Sequence, residues 1–100
     1  MREEIKKLVS KGVLPAEGVA NIEDLESIEL AISLIDAPLS DDEAKALVSI
    51  LGVDECFGIA WSILHLVETA PHWPIEECLT ETNNTWISTL IKRAKNEGAL

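Results

Sequence analysis

Apolar residues recur along this chain at intervals of three and four, the spacing that lays one stripe down an α-helix. Ile5, Leu8 and Val9 do so first, in a helix over Glu3 to Ser10 with Gly12 as its terminator. Ile22, Leu25, Ile28, Ile32 and Ile35 make a second stripe, which begins at a candidate N-cap, Asn21, and ends at Asp36-Ala37-Pro38. Ser40-Asp41-Asp42-Glu43 has the form of a capping box, in which the serine hydroxyl takes the Glu43 amide and the Glu43 carboxylate reaches back to the Ser40 amide. The helix it opens carries Ala44, Leu47, Val48 and Leu51 and closes at Gly52.

The fourth segment differs in kind. With Asp54 as its cap, a helix over Glu55 to Thr69 has Phe57, Ile59, Ala60, Trp61, Ile63, Leu64, Leu66 and Val67 around most of its circumference. That pattern predicts a central, buried helix. Glu55, Gly58, Ser62, His65 and Thr69, with Glu68 beside them, form its one polar edge. Pro71 and Pro74 interrupt the chain next, and Pro74 suits the first position of a short helix through Cys78 and Leu79. Asn83 or Asn84 then caps a last helix with Trp86, Ile87, Leu90, Ile91 and Ala94 on its apolar face and Gly98 as its stop. Lys92, Arg93 and Lys95 in its final turns suit the negative end of the helix dipole.

No alternating run bounded by a tight-turn dipeptide occurs, and there is no Tyr and one Phe. The expected fold is therefore all-α: one domain over residues 1–100, built as a compact bundle of four to six short helices packed as antiparallel hairpins. The pair of helices on either side of Gly52-Val53-Asp54 has the form of one HEAT-type unit.

Charge adds what periodicity does not. Between Lys11 and Lys92 stand fifteen carboxylates and one cation, Lys45, a net −14; at the ends seven cations face three carboxylates, a net +4, for a total of −10. With 47% hydrophobic residues the chain is too apolar for a disordered acidic tail, so the acids are expected to coat a folded surface. Such a field repels phosphate backbones and anionic lipid and steers a cationic partner. Nucleic acid and membrane are excluded as partners on that ground, and a basic protein is favoured. The start, Met1 to Leu8, has no apolar core for a secretory signal, which points to the cytosol and to free thiols at Cys56 and Cys78.

Candidate chemistry is sparse. His65 and Glu68 stand three apart, with His72 beyond them, and this trio is the seat of the alternative reading, a small metal-binding protein or enzyme. Paired zinc-ligand spacing is missing, as are a phosphate loop and a calcium loop, so no cofactor is expected. Acids flank both cysteines, which disfavours a thiolate nucleophile. Trp61 and Trp86 lie among aliphatic positions and read as core. Trp73, in a Pro-bounded connector near Glu68, Glu76 and Glu77, either lids the core or serves as an interface anchor.

The stretch from Asp54 through Cys56, Trp61 and His65 to Pro71, followed by Trp73-Pro74, resembles a segment of small bacterial all-helical proteins to which no activity attaches. By type, a small acidic helical chain is also similar to the immunity proteins that neutralise a basic nuclease toxin with carboxylates. This sequence lacks their His-Pro turn and paired tyrosines, so the likeness extends to a mode of action. The combined expectation is a non-enzymatic module that docks a basic partner. Glu23, Glu26, Asp41, Asp42, Asp54 and Glu55 supply steering, His65 and Glu68 extend the surface, and Trp73 is the anchor. Self-association, with the cationic ends of one copy meeting the acidic middle of another, is the third reading.

Overall fold

A computed structural model describes residues 1–80 and 84–98. Five α-helices carry the fold: α1 (Glu3–Ser10), α2 (Ile22–Ser33), α3 (Asp41–Val48), α4 (Ile59–Val67) and α5 (Thr85–Asn96), with a 3-10 turn at Glu76–Cys78 before the last. No strand occurs among the described residues. The expected all-α bundle is the observed class. Its radius of gyration, 12.9 Å, is close to the roughly 13 Å of a folded chain this long. Helix α1 packs on α2 and α3, and α4 packs on α3 and α2.

The core is a single cluster. Ile5 and Leu8 of α1, Leu47 of α3, Ile63 and Leu64 of α4 and Leu90 of α5 are at its centre, each almost wholly excluded from water. Helix α5 buries Trp86, Ile87, Leu90 and Ala94, the face its spacing predicts. Two caps also fall where the sequence puts them. Asn21 accepts the Asp24 amide at 2.8 Å, and Asn84 accepts the Trp86 amide at 2.8 Å. Asn83, the other candidate cap, and Glu81 lie outside the described residues.

The capping box at Ser40 is complete, with Glu43 N donating to Ser40 Oγ at 3.1 Å and Ser40 N to Glu43 Oε1 at 2.9 Å. Its carboxylate does more than cap. Glu43 is 4% exposed, and it also accepts from Arg2 Nε at 2.8 Å, from Arg2 Nη2 at 3.1 Å and from the Arg2 amide at 3.2 Å. The same guanidinium donates to the carbonyls of Asp36 (2.6 Å) and Pro38 (3.3 Å). One buried charge thus joins the entry to α1, the connector that follows α2 and the start of α3. Burial alone pushes the Glu43 carboxyl up, and the Arg2 side chain, the Ser40 amide and the Arg2 amide together outweigh it, holding the group at about 2.

Three expectations require correction. Ile22 is exposed, because the buried face of α2 is centred on Ile28, and Ile22 at the first helical position turns away from it. Helix α4 begins at Ile59 and not at Glu55, since Cys56, Phe57 and Gly58 take left-handed backbone angles (φ 46°, 54° and 90°) that no right-handed helix accommodates. Phe57 is consequently exposed, at 58%, and Trp61 within the helix is exposed at 38%, so α4 is buried along one side and not over nearly its whole circumference. Arg93, expected to serve the α5 dipole alone, forms a two-pronged ion pair with Glu68, 2.8 Å on each prong.

Gly52 is fixed by a close approach: a Cβ there would meet the Leu14 carbonyl oxygen at 2.6 Å. Gly52→Ala should therefore cost about 1–3 kcal/mol, read as a lower urea midpoint. For Glu43 the linkage runs from acid to neutral. A carboxyl held at about 2 against an ordinary 4.5 contributes stability that is fully present above pH 4.5 and is lost as pH falls toward 2. Glu43→Gln should destabilise the fold by on the order of 2–3 kcal/mol at pH 7. It should also flatten the acid limb of the unfolding curve between those pH values, measured by circular dichroism.

Candidate functional site

Two carboxylates build the region around the left-handed turn by holding backbone amides of the turn and of the connector across from it. Asp54 Oδ1 accepts the Cys56 amide at 3.0 Å and its Oδ2 accepts the Glu17 amide at 2.9 Å, while Glu17 Oε2 accepts the Phe57 amide at 2.8 Å. Two successive non-glycine residues at positive φ are costly, at about 1–2 kcal/mol each. These charge-assisted bonds offset that cost. Asp54 is therefore a cap, as its position before Glu55 suggested, but of a turn four residues ahead of the helix. The turn carries Glu55 toward α4, where its Oε1 accepts the Trp61 indole N–H at 2.9 Å.

From α5, Trp86 donates its indole N–H to the Asp54 carbonyl at 3.0 Å. It meets Trp61 edge to face, with ring centroids 5.1 Å apart and planes at 88°. Between these groups lies an open groove of about 340 Å³, lined by Glu17, Asp54, Glu55, Trp61, Trp86 and Thr89 among others, with no Lys, Arg or His in its walls. Glu17, Asp54 and Glu55 thus border a groove that also holds the exposed Trp61, and Glu55 alone bonds that indole. The thiol of Cys56, beneath the turn, registers the same field: burial is the largest influence pushing it up, and Asp54, Glu17 and Glu29 push it further. As a buried, protonated thiol it is a poor nucleophile.

The other expected site residues are dispersed. Glu23 and Glu26 are exposed on α2, and Asp42 is exposed at the start of α3. Asp41 is engaged by His72, with Nδ1 at 2.6 Å from Oδ2 and the His72 amide donating to Oδ1 at 3.2 Å. Desolvation opposes these bonds, which still hold the Asp41 carboxyl below its ordinary value. Glu68 is committed to Arg93. His65 is exposed on α4. Trp73 is half-buried against the core with its indole N–H enclosed and unbonded, so it lids the interior and does not stand out as an anchor. The exposed tryptophan is Trp61, whose aliphatic neighbours predict a core position. Its one sequence signal is Glu55, six residues earlier, a distance no helical spacing accounts for. Glu17, set in a Pro-Ala-Glu-Gly connector, carried no signal.

Both cysteines are free. No three His, Cys, Asp or Glu side chains gather into a metal-ligand group among the described residues, and the trio of the alternative reading, His65, Glu68 and His72, is not brought together. No described helix is long and apolar enough to cross a membrane. No protein-family model, curated protein or solved structure matches this chain.

Asp54→Ala should cost about 1–3 kcal/mol by orphaning two amides and should move the Trp61 and Trp86 fluorescence toward that of exposed indole. Asp54→Asn, which keeps one acceptor oxygen, should lose less in the same urea titration.

Proposed function

We propose that this chain is a non-enzymatic binding module that docks a basic protein partner at the groove between the left-handed turn and the start of α5. Neutralisation of a basic toxin, in the manner of an immunity protein or antitoxin, is the concrete form this reading takes. The observation that carries it is a groove bordered by Glu17, Asp54 and Glu55 beside the exposed Trp61, with no cation in its walls. Aromatic side chains within a polar rim are the usual energetic centres of protein interfaces. Uncompensated charge beside such an anchor accelerates encounter with an opposite charge. The exposed Glu23 and Glu26 on α2 add to that field at longer range. A metal or acid–base role for His65, Glu68 and His72 has less support, because Arg93 occupies Glu68 and Asp41 occupies His72.

The test uses an oligo-arginine peptide as a defined basic probe, with association followed by stopped-flow tryptophan fluorescence. Raising ionic strength from 0.1 M to 1 M shortens the Debye length from about 10 Å to about 3 Å, and the association rate should fall by roughly tenfold or more. Glu55→Gln should slow association more than Glu76→Gln, which removes an equal charge from the 3-10 turn. A rate indifferent to salt, or equal slowing by both variants, would show that the groove is not the docking point.

A further inference from the structure

We infer that the outer face of α1 and α2 docks a second copy of this chain, paired about a two-fold axis that passes between Glu26 and Leu30. Ile22, Glu26, Leu30 and Leu34 stand four apart, so they form one ridge along α2. Its apolar members, Ile22, Leu30 and Leu34, are each more than half exposed, while Ile28 and Ile35 on the other side fill the core. Beside the ridge runs a groove of about 320 Å³ between the two helices, lined by Glu3, Glu4, Lys7, Lys11, Leu30 and Leu34 among others. A continuous apolar ridge with a polar rim marks an interaction surface. A ridge on one helix packs into a groove on another.

The charges identify the occupant. Glu3 pairs with Lys6, whereas Lys7 and Lys11 form no ion pair among the described residues, in a chain whose net charge is −10. Glu23 and Glu26 stand exposed on α2. A basic partner on this face would meet Lys7 and Lys11, and an acidic one would meet Glu23 and Glu26. A second copy, its α2 running opposite to the first, answers both signs at once. Ile22 of one copy then faces Leu34 of the other, and Glu26 faces Leu30, beside which Lys7 lines the groove. Each contact occurs twice, as a closed dimer requires. None of the residues lining this groove lines the one beside Trp61, so neither docking depends on the other.

The net charge opposes the approach of two copies at long range, and salt screens that repulsion. Sedimentation equilibrium of the whole chain at about 0.15 M salt, from about 10 μM to about 1 mM protein, should give a mass rising from one chain toward two. Leu30→Ser should raise the dimer Kd by about tenfold or more and keep the helical circular dichroism signal, because Leu30 lies outside the core. Val19→Ser, at an exposed valine of a connector, should leave the Kd as it is. Lys7→Glu and Glu26→Lys should each weaken pairing, and an equimolar mixture of the two should recover it, since each supplies the charge that the other lacks. A chain that stays monomeric at the highest concentration overturns the proposal, and so does a dimer indifferent to Leu30→Ser, which pairs through another face. A mixture that associates no better than either charge variant alone overturns the two-fold register.

Discussion

The fold depends on the burial of one carboxylate. Glu43 is the only charged side chain in the buried class among the described residues, and it accepts bonds from three separate donors of Arg2 and from the Ser40 amide. An isolated charge at that depth is strongly unfavourable, and its partners are what make the position tenable. Because Arg2 also binds the Asp36 and Pro38 carbonyls, α3 is capped, α1 is started and the α2–α3 connector is closed by the same set of bonds. None of these three is independent of the others. Pair burial of this kind contributes modest net stability, so its larger effect here is geometric: it sets where α1 sits on α3 and thus where the bed for α4 lies.

The second constraint acts at the other end of α3. Leu14 donates to the Ile50 carbonyl at 2.8 Å, and its own carbonyl presses against Gly52, which brings the 13–18 connector beside the 50–55 connector. Asp54 can then reach across to the Glu17 amide, and Glu17 to the Phe57 amide. The left-handed turn follows from that meeting, and the late start of α4 follows from the turn. Four residues that would otherwise extend α4 instead project Phe57 outward and set Glu55 over the Trp61 edge. The groove is thus a product of long-range pairing between two loops, with the aromatic pair from α4 and α5 as its floor.

Local signals were legible where local physics decides. The Ser40 capping box, the Asn21 cap, the bounds of α1 and the apolar face of α5 depend on neighbours within four residues, and the structure has them in place. Legibility ends where a residue's partner is distant in sequence. Arg2 gives no hint of Glu43, 41 positions away, nor Phe57 of Glu17, 40 positions away. Trp61 is a second such case: the run from Phe57 to Val67 reads as apolar over most of the helix, and the side that packs on the core is set by α3 and α2. Once the turn removes Phe57 from the helix, the buried side is Ile59, Ala60, Ile63, Leu64 and Val67, and Trp61 falls on its margin.

The segregation of charge along the sequence takes on a different meaning once the chain is folded. The cationic ends fold back onto the acidic middle at two points: Arg2 takes Glu43 and Arg93 takes Glu68, while Lys45 pairs with Glu77 within the middle itself. These pairs remove acids from the field selectively. What they leave unneutralised includes Glu23 and Glu26 on α2 and the trio of Glu17, Asp54 and Glu55 around the aromatic groove. Most of the acids of the middle stay exposed, on α2, at the start of α3 and in the 3-10 turn as well as beside the groove.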